Sequence, residues 1–284
     1  MHSHVSVAVG VPAIDHASWP TSIVMRLVDE GLLHLDQRLD ACIDPPFTAY
    51  EEYAALAGDA RAPALTPAIL LTHSAGFPNW RQPRATGRLA FQFEPGTQFS
   101  YSGEGYYLLQ FLLEKKTRRP LAVLARERVF EPLGMTGSSF LWESRFDGNF
   151  AVDLDSELAA LIRRTLTDAN SAGSLLANAT DYARFMLAVL SGRGLKAETA
   201  AAWRTPRIRV TGKALHDREK PNTSLNDDIQ PSWTPGWGSF CSPAGQALFH
   251  VGMEEGCENY VVLFPAKQTG IANPHRTPFN STAK

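Results

Sequence analysis

The sequence predicts an α+β protein in which one antiparallel sheet is flanked by helices and a mostly helical region is inserted between the sheet-forming parts. Three observations support this. A strand-like pattern lies near the start of the chain, helix-like patterns fill its middle, and short strand-like runs return near its end. We therefore interpret residues 1–284 as one unit, with residues 1–39 and 201–284 forming the sheet region with the first helix and residues 40–200 forming the helical region.

The first two elements are a strand and a helix. Valine occupies every second position of residues 5–11, which is the period of a half-buried strand, and Pro12 ends this run. The next pattern is helical and extends from Thr21 to Gly31. Either Thr21 or Ser22 can cap this helix, apolar residues recur every three or four positions, and Gly31 stops it.

Further helices are predicted across the middle of the chain. One begins with Thr66 as its N-cap and Pro67 in its first turn, and Gly76 reads as its C-terminal glycine. Three others are indicated by apolar spacing and by glycine or proline stops: one around Leu108–Leu113 that closes at Arg118, one over residues 121–130, and one over residues 180–190.

The last part of the chain differs in composition from the helical middle. Residues 213–235 are polar and rich in proline, which predicts a long surface loop. Two short apolar runs follow, Ala247–Val251 and Tyr260–Phe264, and each predicts a strand. These strands complete the predicted sheet.

Charge and composition exclude several classes of function. The chain has 27 Lys and Arg against 29 Asp and Glu, a net charge of −2, so it lacks the basic surface that nucleic-acid binding needs. No run of 18 apolar residues predicts a transmembrane segment, and residues 1–10 lack the features of an export signal. We therefore expect no nucleic-acid partner and a cytoplasmic location by default; the oligomeric state is left open.

The sequence also lacks the usual cofactor motifs. Its three cysteines are scattered and form no C-x-x-C pair, and no P-loop, H-E-x-x-H or dinucleotide-binding glycine motif is present. We therefore predict no metal and no organic cofactor.

Five blocks of sequence carry the candidate chemistry, and they occur in the order Leu70–Gly76 (L-L-T-H-S-A-G), Glu94–Gly105 (E-P-G-T-Q-F-S-Y-S-G-E-G), Glu131–Met135 (E-P-L-G-M), Ser171–Phe185 and Phe249–Gly252 (F-H-V-G). In this order they resemble the serine β-lactamase and penicillin-binding family, and most of all its class C β-lactamases and related esterases. The resemblance covers roughly residues 22–265.

The resemblance implies a Ser-x-x-Lys nucleophile, a Tyr-x-Asn-type element and a Lys-Thr-Gly or His-x-Gly strand. The Y-S-G that begins at Tyr101 matches the second, and the H-V-G that begins at His250 matches the third. It thus implies Tyr101 and His250 as catalytic residues and Gly103 and Gly252 as substrate-binding residues. The implied activity is hydrolysis of a β-lactam, a D-Ala peptide or a small ester through an acyl-serine.

The chemistry of this family explains these residue types. A serine hydroxyl is a weak nucleophile unless a neighbour takes its proton, and a phenol acts as that base only where cations stabilise the phenolate. His250 would serve as a donor or cation near neutral pH, and an arginine such as Arg81 could reach in. The plain alternatives are that Tyr101 is a buried aromatic and His250 a core histidine. We expect Tyr101 and His250 to lie within about 12 Å of each other, since both must act on one substrate. Gly103 departs from the family, which commonly has an amide side chain at this position to hold the substrate, because glycine offers a substrate only its backbone.

The first helix departs from the family more seriously. Alignment on Pro20 places His16 at the serine position and Trp19 at the lysine position. The strands that precede this helix in the family are also largely absent, so we expect a fold truncated or replaced at its N-terminus. The only Ser-x-x-Lys is S-T-A-K, from Ser281 to Lys284.

Two hypotheses follow from this departure. Ser281 and Lys284 could enter the site as nucleophile and lysine in a permuted arrangement, or they form only the polar end of the last strand. In the second case the chain is a non-catalytic remnant, a pseudoenzyme or binding module of the same fold.

Three other features have less specific interpretations. The segment Thr72–Gly76 is half of a nucleophile elbow, and Gly76 fits a helix C-cap better. A solvated turn is expected for three neighbouring glutamates, Glu254, Glu255 and Glu258. Three tryptophans either line the cleft expected between the sheet region and the helical region or pack in the core and on the surface: Trp80, Trp233 and Trp237.

Overall fold

The computed structural model describes residues 18–81, 87–152, 157, 159–160, 166–212, 222–254 and 257–275. Its helices are α1 (Ser18–Asp29), α2 (Pro67–Leu71), α3 (Gly103–Thr117), α4 (Leu121–Ala125), α5 (Glu131–Leu133), α6 (Ala179–Ser191) and α7 (Ala197–Arg204). Between α1 and α2 the chain forms short 3₁₀ turns, Leu39–Ala41, Phe47–Ala49, Glu51–Leu56 and Ala62–Ala64.

The strands follow the helices and form one sheet. They are β1 (Ile208–Arg209), β2 (Ser232–Thr234), β3 (Trp237–Ser242), β4 (Gly245–Glu254), β5 (Cys257–Phe264) and β6 (Thr269–His275). The six strands lie side by side in chain order, and each is antiparallel to the next. The predicted fold class, an antiparallel sheet with helices packed against it, is confirmed. The strand predicted over residues 5–11 lies outside the described residues.

Helix α1 begins earlier than its sequence pattern predicts. It starts at Ser18, so Thr21 and Ser22 are buried within the helix and do not cap it. Pro20 permits this because the first turn of a helix has no use for the N–H that proline lacks. The predicted stop is confirmed, since the helix ends at Asp29 and Gly31 adopts φ 71°.

Helix α2 has the predicted start and a different end. The Thr66 hydroxyl accepts a hydrogen bond from the Ile69 N–H at 3.2 Å, which confirms the N-cap. The helix already ends at Leu71, so the interpretation of Gly76 as its C-cap is wrong. Gly76 instead adopts φ 83°, and a Cβ there would lie 2.4 Å from the carbonyl oxygen of Phe93. Only glycine allows this close approach.

The helix predicted over residues 121–130 continues through Pro132. A π-helical turn at Arg126–Phe130 joins α4 to α5, with the Glu131 N–H donating to the carbonyl of Arg126. The wider turn accommodates a proline that neither donates a hydrogen bond nor fits a regular helix interior. Gly134, at φ 69°, ends the helix.

The sheet is larger than the sequence pattern predicts. Both predicted strands are confirmed as parts of longer ones, β4 and β5, whereas β2 falls inside the segment predicted as a loop. Trp233 explains this error, because its side chain is fully buried in a stretch whose composition is otherwise polar.

Trp19 anchors α1 in the main hydrophobic core. Its side chain is 1% exposed, and its ring stacks on Phe185 of α6 with a centroid distance of 3.7 Å. Phe130 and Tyr182 contact the same indole, each at 5.9 Å. The position aligned with the lysine of the family is thus occupied by a packed core residue.

We expect Trp19→Lys to lower the free energy of unfolding by at least about 3 kcal/mol, because it removes a large buried side chain and places an ammonium group among aromatic rings. Trp19→Phe is the control and keeps most of the ring contacts. Urea unfolding of both variants measures the difference, and equal stabilities would contradict the assignment of Trp19 to the core.

Candidate active site

Tyr101 and His250 lie together in the folded chain. Tyr101 precedes α3, His250 lies in β4, and their ring centroids are 6.2 Å apart. This distance confirms the expected proximity of the two residues and leaves their roles open. Tyr101 is half-buried, whereas His250 is 1% exposed, so the phenol is more accessible to a ligand than the imidazole.

A residue that the motif analysis did not single out, His73, holds the Tyr101 segment. The backbone N–H of Ser100 donates to the His73 carbonyl at 2.8 Å, and the N–H of Ser102 donates to His73 Nδ1 at 3.0 Å. The imidazole of His73 stacks on the phenol ring of Tyr101 with centroids 4.0 Å apart and an interplanar angle of 26°. His73 therefore contacts Tyr101 itself and binds the residue on either side of it.

His73 lies in a segment whose sequence suggests a different reactive residue. Residues 72–76 resemble half of a nucleophile elbow, and in that motif Ser74 would be the nucleophile. Ser74 is 2% exposed, and its hydroxyl lies 2.9 Å from that of Thr72. His73 adopts φ 51°, an uncommon value for a non-glycine residue, so an irregular turn is built here around the histidine.

Ser102 and Gly103 start α3 next to Tyr101. The hydroxyl of Ser102 caps the helix by accepting from the Gly105 N–H at 3.0 Å, and it donates to the carbonyl of Pro78 at 2.8 Å. The Gly103 N–H donates to Asn79 Oδ1 at 2.9 Å. These bonds tie the start of the helix to the loop at residues 78–79.

Trp80 lies directly over Gly103. A Cβ on Gly103 would lie 2.4 Å from a carbon of the Trp80 ring. The amide side chain that the family resemblance implies at this position would therefore require the indole to move. Trp80 itself is 44% exposed, and its ring also packs against Tyr107 at 5.7 Å.

Arg81 is engaged by a buried carboxylate. Glu104 is 2% exposed and accepts hydrogen bonds from Arg81 Nε at 2.7 Å and from the Arg81 backbone N–H at 2.8 Å. Another guanidinium nitrogen of Arg81 donates to the carbonyl of Glu52. A buried carboxylate needs such a partner, so this pair fixes the arginine in a structural role.

The strand that carries His250 is only partly paired on one side. Strand β3 pairs with β4 as far as Phe249, and β5 pairs with it from Leu248 to Glu254. Within the described residues, the segment from His250 onward has no strand on the β3 side. Gly252 lies in this segment, is buried, and brings no side chain.

Burial determines the charge of His250. Desolvation lowers the pKa of His250 from 6.5 to about 3. The imidazole is therefore neutral at neutral pH and can act as a hydrogen-bond donor. The interpretation of His250 as a cation near neutral pH is wrong, because the sequence did not reveal how completely β4 is covered at this point.

The three candidate wall tryptophans have different places. Trp233 is fully buried and contacts the site, with ring centroids 5.4 Å from His73 and 5.7 Å from His250. Trp237 is also fully buried and packs near Phe185 in the core. Trp80 lies over Gly103, so two of the three border the site.

Several sequence candidates lie outside the described residues: His16, Glu255, Ser281 and Lys284. Glu254 and Glu258 belong to β4 and β5 and not to a free turn. In the part of the chain that the structure describes, no cluster of His, Cys, Asp or Glu is arranged to hold a metal ion. Nor is any described helix long and apolar enough to cross a membrane.

Comparison with known proteins identifies the family. A sequence model described as Beta-lactamase matches residues 21–273. The chain belongs to the β-lactamase family. The resemblance to this family that the five sequence blocks indicated is confirmed.

Relatives and solved structures agree with this assignment. An Escherichia coli (strain K12) protein named "Putative D-alanyl-D-alanine carboxypeptidase" is 29% identical over 135 residues, which are 41% of this chain and 30% of that protein. The chain thus spans less than a third of this curated relative. The fold is similar to a β-lactamase/D-alanine carboxypeptidase from Pseudomonas syringae, with a TM-score of 0.75, 15% identity and coverage of 97% of this chain and 82% of that one. It is also similar to a D-stereospecific amidohydrolase from Streptomyces sp., with a TM-score of 0.73, 15% identity and coverage of 96% and 83%.

The depressed pKa of His250 predicts a pH-dependent stability. Between about pH 3 and pH 6.5 the unfolded chain binds a proton at this residue and the folded chain does not, so stability falls as the pH is lowered. This group contributes at most about 1.4 kcal/mol per pH unit. Urea unfolding from pH 7 to pH 4 should therefore show a steeper loss for the wild type than for His250→Gln. Parallel curves would show that His250 gains its proton in the folded chain.

Proposed function

We propose that this chain is a serine hydrolase that cleaves an amide or ester bond through an acyl-serine. The observation that carries the proposal is the placement of Tyr101 against His250, where β4 extends beyond its pairing with β3. A phenol beside an imidazole can hold a carbonyl substrate and move a proton near it. Membership of the β-lactamase family supports the reaction class.

In the proposed reaction Ser281 is the nucleophile. Its Oγ bonds to the substrate carbonyl carbon while its proton passes to the phenolate of Tyr101, and the tetrahedral intermediate expels the amine or alcohol, which takes that proton. Water then attacks the acyl-serine, Tyr101 accepts a proton from the water, and Ser281 leaves with a proton restored. Each turnover consumes one water and no cofactor.

The electrostatics of the described residues constrain this scheme. A phenolate persists near neutral pH only beside a cation. His250 does not supply that charge, because burial lowers its pKa to about 3, and Arg81 is bound to Glu104. The proposal therefore assigns the cation to Lys284 and leaves His250 as a neutral, buried neighbour of the phenol.

The substrate we propose is an amide of a D-amino acid. Two lines support this choice. Two of the three similar proteins above are named as D-alanine carboxypeptidases, and the third is named as a D-stereospecific amidohydrolase. In addition, β4 extends beyond its pairing with β3 from His250 onward, and a peptide-like substrate can add to a strand segment of this kind.

The test compares the wild type with Ser281→Ala and Tyr101→Phe on D-alanine p-nitroanilide, a chromogenic cephalosporin and a p-nitrophenyl ester. We expect wild-type turnover and an acyl adduct by intact mass, and a loss of at least about 10³-fold in kcat for each variant. Ser171→Ala is the control, because the Ser171 hydroxyl bonds to the Tyr106 carbonyl and takes no part in the scheme. Turnover that survives Ser281→Ala would overturn the assignment of the nucleophile.

A second candidate function is that of a non-catalytic remnant that binds ligands of the same class. It is favoured by Trp19, which places a packed indole at the position aligned with the lysine of the family. In that case D-alanine p-nitroanilide would bind, as measured by calorimetry, with neither turnover nor an acyl adduct. Turnover in the wild type would exclude this candidate.

A further inference from the structure

The structure assigns to His73 the role of positioning residue for Tyr101. This inference rests on the proposed function, in which Tyr101 moves the proton. His73 touches none of the reacting atoms in that scheme and acts by fixing where the phenol lies.

The first support is the pair of hydrogen bonds around Tyr101. Ser100 donates its N–H to the backbone carbonyl of His73, and Ser102 donates its N–H to the side chain at Nδ1. One residue thus restrains the chain on both sides of Tyr101. Ser100, Ser102 and His73 are all at most 4% exposed, so water does not compete for these bonds.

The second support is the ring contact. The imidazole lies 4.0 Å from the phenol ring and nearly parallel to it, which restricts the side chain of Tyr101 as well as its backbone. The same imidazole is enclosed by Phe99, Tyr106 and Trp233, at centroid distances of 5.9, 4.9 and 5.4 Å. These contacts fix the His73 ring, and the fixed ring restricts the position of Tyr101 in turn.

The third support is the backbone of His73. Its φ of 51° turns the chain directly after α2, which directs both the carbonyl and the ring toward residues 100–102. Asparagine tolerates this conformation and keeps a neutral acceptor at the position of Nδ1, because its Oδ1 is the same number of bonds from Cα. Leucine has the branching of asparagine and no acceptor, and His73→Gly shows whether strain at this φ contributes, because glycine adopts it freely.

The experiment compares His73→Asn with His73→Leu in steady-state hydrolysis of D-alanine p-nitroanilide. Loss of ring stacking alone should lower kcat about tenfold in His73→Asn. Loss of the acceptor as well should lower kcat about 100-fold in His73→Leu, since small displacements of a catalytic group have effects of this size. KM should stay within about threefold in both, because substrate contacts are intact. Equal kcat values for the two variants, or a change confined to KM, would overturn the inference.

Amide hydrogen exchange measured by NMR gives a readout that does not depend on activity. The Ser102 amide should be protected in the wild type and in His73→Asn, and its protection should fall at least about tenfold in His73→Leu. Equal protection in both variants would overturn the inference. If His73→Leu does not fold, His73→Gly replaces it, because glycine adopts this φ without strain and also lacks the acceptor.

The two measurements separate the failure of this inference from the failure of the proposed function. A wild type with no turnover and no acyl adduct defeats the hydrolase proposal, while the exchange of Ser102 still decides whether His73 fixes the segment. A wild type with normal turnover and variants of equal kcat defeats only the role of His73.

Discussion

The site depends on the hydrogen bonds that His73 forms with the two residues flanking Tyr101. These bonds connect the turn after α2 to the segment that leads into α3, two parts of the chain that are nearly 30 residues apart in sequence. Ser102 extends the connection, since it caps α3 and donates to the carbonyl of Pro78. Gly76 is part of the same arrangement, because the turn closes against Phe93 only where no Cβ is present. Tyr101 reaches His250 as a consequence of this geometry.

Burial determines how charge is distributed around the phenol. The imidazole of His250 is kept neutral by desolvation, and the guanidinium of Arg81 is neutralised by Glu104. Helix α1 contributes only core packing, through Trp19 against Phe185. A hydrolase built on this fold therefore requires a cation from elsewhere, and the proposed function assigns it to Lys284. The presence or absence of such a cation is what distinguishes a hydrolase from a binding module of the same fold.

Sequence patterns predicted much of the fold and part of the site, and each limit has a physical cause. Thr66 and Gly31 were predicted correctly because caps and stops are local. The end of the helix predicted over residues 121–130 was wrong, since a π-turn at Arg126–Phe130 lets the helix continue through Pro132 in a way that no local rule reveals. The pairing of Tyr101 with His250 followed from family motifs, whereas the neutrality of His250 depends on burial by distant elements. His73 was missed because its segment resembles a nucleophile elbow in which Ser74 is the reactive residue, and because its partners are backbone N–H groups that no side-chain pattern marks.

A crystal structure of the chain with phenylboronic acid tests the proposed site most directly, because this compound forms a covalent bond to an activated serine and imitates the tetrahedral intermediate. We expect boron bonded to Oγ of Ser281, with a boronate oxygen within about 3 Å of Tyr101 Oη and Tyr101 still stacked on His73. Boron on another serine, or a Tyr101 ring turned away from both His73 and His250, would contradict the proposed site.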